Sequence, residues 1–424
     1  MSERILMLMG SGETSPTMVT PHRAIFARLP KSAAAVILDT PFGFQENADD
    51  IAGRAREYFR NSIGVSLDIA SLRNTAQATS IELETFANIL RRADYLFAGP
   101  GSPTYALRQW AGTTTGELLE EKLAKGGVIA FSSAAVSTLG RFTIPVYEIY
   151  KVGEDPELRS GLNVLAAVGL DVLVIPHFNN AEGGNHDTRF CYMGETRLRI
   201  LESQLPAQTA VLGLDEHTGI VIDLNAETVN VKGIGGVTIR KGSNVEVLTS
   251  NDSISLDRFK ELLHDIGSGT RSTSSRVPLS SQEASAVVDA KLPATSPLLQ
   301  NIEGYILRFE EAMNRRDSTE CLATILDLDS ELANWAADTL QSDEINKGRS
   351  AVRSMVTNLA PVLREGFIPV RDRVAPYVEG FLALRATARA EKRWGDADIL
   401  RDRLDGLGVV VRDTPSGVEW DLSS

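Results

Sequence analysis

The feature that most constrains the fold of this chain is a series of short segments in its first 265 residues that are apolar throughout, among them 35–39 (AVILD), 95–99 (YLFAG) and 128–132 (VIAFS). A strand with one face in water alternates apolar and polar side chains, whereas a strand covered on both faces reads as a continuous apolar run. These segments are therefore expected to be central, parallel strands. Parallel neighbours need a crossover of about a dozen residues or more. Residues 81–93 (IELETFANILRRA) fit one, with Leu83, Phe86, Ile89 and Leu90 at helical spacing. The expected architecture is α/β, a doubly wound and mostly parallel sheet. Further along, the texture changes to short runs with turn signals at Asn225 and Gly235-Gly236, which predicts an antiparallel hairpin on the sheet edge.

Residues 266–297 are rich in Ser, Thr, Gly, Pro and Ala and poor in large apolar side chains, the composition of a flexible linker. Beyond them the apolar spacing is helical, at Ile302, Tyr305, Ile306 and Phe309 and again from Leu384 to Leu407. Residues 408–422 then carry a β-branched run, a Thr-Pro-Ser-Gly turn and an aromatic return, which predicts a closing hairpin. The expected organisation is an α/β domain over 1–265, a linker over 266–297 and a small, mainly helical domain over 298–424. No apolar run approaches the ~18 residues of a membrane span. With 56 acidic against 43 basic residues and a net charge of -13, the chain does not suit nucleic-acid binding driven by bulk charge. Two cysteines, Cys191 and Cys321, support neither a disulfide framework nor a cysteine-type zinc cluster. Glu3 and Arg4 precede the first apolar run, and Gly10 and Gly12 close it as a tight turn. That pattern does not suit a signal peptide, and a cytoplasmic location is expected.

Residues 126–136 (GGVIAFSSAAV) read as a buried strand that runs through small residues into a helix. A sharp strand-to-helix turn holds a side-chain oxygen clear of the backbone, and N–H groups at the helix start stabilise an oxyanion. Such a turn wants small neighbours two positions to either side. Ser132 has Ala130 and Ala134, while Ser133 has Phe131 and Ala135, so sterics alone favour Ser132; plain tight packing is the alternative. His177 directly follows the apolar run VLVIP and Glu216 follows VLGLD, at strand ends where doubly wound sheets gather reactive groups. A serine nucleophile needs a base, and the base needs an orienting carboxylate. Taken singly, His177 also reads as a satisfied strand-end histidine and Glu216 as a solvated turn residue.

Four segments, 98–107 (AGPGSPTYAL), 129–140 (IAFSSAAVSTLG), 174–180 (VIPHFNN) and 213–223 (GLDEHTGIVID), resemble in order the motifs of the cyanophycinase and dipeptidase E family of serine peptidases, whose fold is class I glutamine amidotransferase-like. The resemblance implies Ser133 rather than Ser132 as nucleophile, His177 as base and Glu216 as orienting acid. It further implies Gly101 and Ala134 as oxyanion N–H donors. Phe131 and Ala135 stand where the family elbow has glycines. In the polar loop 177–197, Asn179, Asn180 and Arg189 are expected to line a substrate pocket, with Arg189 or Arg197 gripping a carboxylate; Glu182 belongs to the same loop. The spacing of His177, His186 and Asp187 fits no zinc motif, and no metal or cofactor is expected.

Residues 308–338 and 384–422 resemble the C-terminal helical region and tail of cysteinyl-tRNA synthetases, through Arg389, Lys392, Trp394, Asp398, Arg401, Asp402, Asp413-Thr414-Pro415, Gly417 and Trp420. That resemblance implies tRNA as a partner. The ligase's His-x-Gly-His and Lys-Met-Ser-Lys-Ser signatures are absent, so aminoacylation is not expected. Residues 296–424 hold 16 basic and 22 acidic side chains, where a nucleic-acid module shows a basic surplus. Arg385, Arg389, Lys392, Arg393, Arg401 and Arg403 are accordingly read as a solvated face laced with acids, and Trp394 as core. The expected function is a serine hydrolase acting on a small peptide or isopeptide, with a homodimer as a candidate assembly and no membrane partner. The competing expectation is an inactive binding protein whose tail recognises tRNA or a protein.

Overall fold

The structure, a computed structural model, describes residues 2–181, 186–264, 296–335, 342–365, 369–415 and 417–423. The stretch expected to be a linker, 266–297, lies outside them except for its last two residues, and Glu182 lies outside them as well. The chain forms two compact units, Met1–Ser296 with Ala333–Ser342, and Pro297–Leu332 with Asp343–Ser424.

The strands of the first unit are β1 (Arg4–Met9), β2 (Ala35–Leu38), β3 (Asp68–Ala70), β4 (Tyr95–Ala98), β5 (Gly127–Ser132), β6 (Phe142–Thr143), β7 (Arg159–Ser160), β8 (Val172–Ile175), β9 (Ala210–Leu214), β10 (Thr218–Asp223), β11 (Thr228–Gly233), β12 (Gly236–Lys241), β13 (Asn244–Thr249) and β14 (Ser253–Ser255). The central sheet has eight strands in the order β14-β11-β10-β1-β5-β4-β2-β3, and β1, β5, β4, β2 and β3 run parallel. Here lie the three apolar runs, and their lack of alternation has a plain cause. Ile5, Met7, Tyr95, Phe97, Val128 and Ala130 enter one buried cluster, while their neighbours Leu6, Leu8, Leu96, Ala98, Ile129 and Phe131 enter another. Each such side chain contributes about 1.5–3 kcal/mol on burial. The crossover before β4 is the helix Ser80–Arg92, opened by a Thr79–Glu82 capping box and packed through Phe86 and Leu90.

A second sheet, β13-β12-β9-β8-β6-β7, departs from the expectation of a single edge hairpin after 210. The β10–β11 hairpin joins the central sheet, but β9 and β12 pair with each other in the second one. Val172, Val174, Leu212 and Leu214 share a buried cluster with Leu6, Leu8 and Ile220. The second sheet therefore covers apolar surface of the first instead of extending its edge. Turn residues announce a reversal of the chain, not which sheet each arm will join.

The second unit holds the helices Pro297–Asn314, Val370–Ala390 and Trp394–Asp405 and all of Ser318–Trp335 and Ser342–Glu365 except residues 333–335 and 342, closed by the hairpin of β15 (Val409–Thr414) and β16 (Gly417–Leu422). Val378, Leu404, Val409 and Val411 pack together. Trp394, expected in the core, is 57% exposed. It stands at the first position of its helix, whose buried face is carried by Ala397 and Leu404. No helix among the described residues is long and apolar enough to cross a membrane.

Candidate active site

Strand β5 ends at Ser132, and the short helix Ser133–Ser137 begins at once. The reversal is made at Ser133, whose φ of 49° lies in the left-handed region, a conformation that costs a non-glycine residue about 1–3 kcal/mol. The parallel register sets Met9 beside Ser132 and Ala98 beside Phe131, so the loops leaving β1, β4 and β5 converge at one end of the sheet. There the Ala135 N–H donates to Gly99 O at 3.2 Å, and the Ser102 N–H to Pro41 O at 2.8 Å. These bonds tie the serine turn to the loop that carries Gly101. Gly101 has a φ of 141°, and a Cβ there would lie 2.0 Å from Pro41 O, so no side chain fits. Ala134 is the buried second residue of the helix.

His177 follows β8 after a single proline and also adopts a positive φ, 48°. Its Nε2 lies 3.0 Å from Ser133 Oγ, and its Nδ1 lies 3.0 Å from Oε1 of Glu216, on the β9–β10 connection. Ser133 and His177 are 7% and 5% exposed. Burial drives the Glu216 carboxyl up in pKa; the hydrogen bond and charge of His177, helped by the Asn180 amide, outweigh it and leave Glu216 below the ordinary glutamate range. An ionised carboxylate only accepts hydrogen bonds. Nδ1 therefore carries the proton, and the Nε2 lone pair faces the Ser133 hydroxyl. Burial also lowers the pKa of the neighbouring His217, to about 4.

The two serines have opposite surroundings. Successive side chains of a strand point to opposite sides, and Ser132 turns inward, where its hydroxyl donates to Glu13 Oε2 at 2.8 Å. The steric preference for Ser132 is thus not matched by a base. The residues expected to line a substrate pocket are engaged elsewhere. Asn179 Oδ1 accepts from the Glu216 N–H at 2.7 Å, and Asn180 Nδ2 donates to Glu216 Oε1 at 3.1 Å, so both hold the acid in place. Arg189 makes a two-pronged pair with Asp187, Nε to Oδ1 and Nη2 to Oδ2, both at 2.9 Å. Its fork is filled by a carboxylate two residues away instead of being open to a substrate. Sequence reasoning missed Glu13. The available signal was a charged residue in the turn (Gly10 to Glu13) directly after a wholly apolar strand.

In the second unit basic residues are interleaved with acids as expected, but Arg385 is buried and not part of a solvated face. Arg385, 5% exposed at its side chain, binds both oxygens of Asp413 at 2.9 Å, and Arg389 binds Oδ2 at 2.8 Å. The Arg385 and Arg389 hydrogen bonds hold the Asp413 carboxyl well below the ordinary range. Arg393 pairs with Glu391 and Asp396.

Residues 371–420 match the family described as the cysteinyl-tRNA ligase anticodon binding domain. The chain is 34% identical over 161 residues to a cysteine–tRNA ligase of Beutenbergia cavernae, covering 36% of this chain and 31% of the ligase. It is 32% identical over 127 residues to one of Vibrio cholerae, covering 28% and 26%. The chain thus spans under a third of the length of these curated relatives. Among solved structures, a peptidase from an acI-B1 Actinobacterium superposes with a TM-score of 0.48 at 22% identity, covering 60% of this chain and 97% of that one. The chain is therefore similar at its C-terminal end to the tRNA-reading part of a ligase, and the Ser133 site lies outside the residues matched to that domain.

Proposed function

We propose that residues 1–265 form a serine hydrolase that cleaves an amide bond of a small peptide, with Ser133 as nucleophile, His177 as base and Glu216 as orienting acid. The observation that carries this reading is the line of two 3.0 Å hydrogen bonds from Ser133 Oγ through His177 to Glu216, entered from a serine held in a left-handed turn. Ser133 Oγ attacks the carbonyl carbon, and its proton passes to His177 Nε2. Glu216 stabilises the resulting imidazolium and keeps the ring in the productive tautomer. Backbone N–H groups of Gly101 and Ala134 receive the oxyanion. The imidazolium then protonates the leaving amine, and water attacks the acyl-serine with His177 again as base.

Labelling with a fluorophosphonate probe followed by peptide mapping tests this reading. Modification at Ser133 that disappears in His177→Ala supports it. Modification at Ser132 shifts the nucleophile by one residue, and a folded protein that takes no label moves the reading to the inactive binding protein.

For residues 298–424 we propose recognition rather than chemistry, with tRNA as the first candidate because of the match over 371–420. Retention of tRNA that weakens as salt rises would support it; retention of no tRNA at low salt would leave a protein partner. The acidic balance of this region and the pairing of Arg385, Arg389 and Arg393 with carboxylates favour a weak grip.

A further inference from the structure

Glu13 has no part in the mechanism above, yet it lies at its centre. It is a carboxylic residue only 5% exposed, in the loop after β1, and its Oε2 accepts the Ser132 hydroxyl at 2.8 Å. A Cβ added to Gly99, at the end of β4, would lie 3.0 Å from its Oε1. The carboxyl therefore fills the space among the ends of the three strands that present the nucleophile. Ser132 occupies the N-cap position of the helix Ser133–Ser137, where a serine ordinarily turns its hydroxyl back onto the second or third N–H of the helix. It makes no such bond. Glu13 draws the hydroxyl away; the Ala135 N–H already donates to Gly99 O, so the N–H that would have donated to the serine oxygen is that of Ala134, the residue assigned above to the oxyanion.

Burial raises the Glu13 carboxyl's pKa, while its own backbone N–H, the Ser132 hydroxyl and the charge of His177 oppose the rise. Glu13 Oε2 meets the hydroxyl of Ser132 at 2.8 Å, and the next residue, Ser133, meets His177 Nε2 at 3.0 Å, so adjacent residues carry the two contacts. The other titratable groups around His177 are Glu216, His217 beside it, and Cys191, whose N–H donates to His177 O at 3.1 Å.

We propose that Glu13 is a positioning residue of the Ser133 site: it keeps the Ser132 hydroxyl off the helix start, and in its ionised form it favours the imidazolium that His177 becomes when it takes the serine proton. The proposal rests on the hydrolase reading, and its test separates the two. Glu13→Gln keeps an acceptor for Ser132 and removes the charge. In the full-length protein, fluorophosphonate labelling of Ser133 is expected to slow about tenfold. The His177 imidazole, followed by NMR, is expected to titrate at lower pH than in the unmodified protein, a change that a purely structural brace would not produce. Labelling and titration identical to the unmodified protein would overturn the proposal. If the unmodified protein takes no label, the hydrolase reading fails by itself, and an unmoved His177 titration in Glu13→Gln would overturn the charge role independently. Should Glu13→Gln not fold, Ser132→Ala tests the brace from its other side: with no hydroxyl to hold off the helix start, the labelling rate is expected to stay unchanged, and slower labelling overturns that role.

Discussion

Each of the two units holds a polar network, buried in the first and half exposed in the second, and the two networks stand on different backbones. In the first, the line from Ser133 through His177 to Glu216 passes two residues with φ near 50°. In the second, the Arg385–Asp413 pair joins a helix to β15 with both residues on regular backbone. A strained turn persists only where its surroundings over-determine it, and around Ser133 they do: parallel strands on both sides of β5, the Gly99 carbonyl on Ala135, and Glu13 on Ser132. The arginine pair needs no such support, because a guanidinium fork and a carboxylate match each other without bending the chain. The line from Ser133 to Glu216 thus runs through left-handed backbone, while the Arg385–Asp413 pair closes two charges on regular backbone.

The largest test of that contrast is Ser133→Ala or His177→Ala. Each is expected to lower the fluorophosphonate labelling rate on the order of a thousandfold or more while the circular dichroism stays unchanged. Either variant labelling at the normal rate would mean that the strained turn is only structural. Glu216→Gln comes next, with a loss of about a hundredfold or more. The isosteric amide can still occupy the site but no longer compensates the imidazolium. Because Glu216 titrates below the ordinary glutamate range, the fall in labelling on acidification belongs to the histidine, and removing the charge of its direct hydrogen-bond partner is expected to move the acid limb to lower pH as well as to lower the plateau.

Acid stability sharpens the comparison further. All five histidines lie within the first 264 residues, and burial pushes the pKa of His22 and of His217 down to about 4. A buried histidine that resists protonation gives stability that is complete above the ordinary value of ~6.5 and is lost as pH falls toward 4. The slope is about 1.4 kcal/mol per pH unit for each such group. Urea unfolding at pH 7.5 and pH 5 is expected to show the first unit weakened. The second unit has no histidine, and the lowered pKa of Asp413 means that this carboxylate's contribution is lost only as pH falls below the ordinary aspartate range. Equal acid sensitivity of the two units would break the contrast. The smallest effects belong to the charge pairs. Arg385→Met is expected to cost the second unit about 1–2 kcal/mol, since its partner is half exposed, and Arg393→Ala, whose charge pairs lie in solvent, less than that. Thermal unfolding of the two variants side by side checks the order.

Much of the fold was legible because burial on two faces erases alternation, and 35–39, 95–99 and 128–132 carry that mark. The terminal hairpin was legible from its turn chemistry. The second sheet was not, because β9 and β10 are both apolar and are joined by a short turn, and only packing assigns them to different sheets. At the proposed site, His177 and Glu216 could be named from their places at strand ends, and Ser133 only through the resemblance, since sterics favoured Ser132. The roles of Asn179, Asn180 and Arg189 could not, since a polar loop residue reads the same whether it faces a substrate or a neighbouring carboxylate. Glu13 escaped because it precedes Ser132 by more than a hundred residues and meets it only through the parallel pairing of β1 with β5.

By itself, the sequence determined which segments must be buried, where the chain turns, and that a serine, a histidine and a glutamate follow three buried strands. These are local properties, set by side-chain hydrophobicity, spacing and turn propensity. Only the tertiary structure decided which of two adjacent serines meets the histidine, which arginines are already paired, and which carboxyl meets the hydroxyl of Ser132. Those depend on strand order and register, and on a left-handed turn at Ser133 that local preference opposes and the surrounding packing enforces.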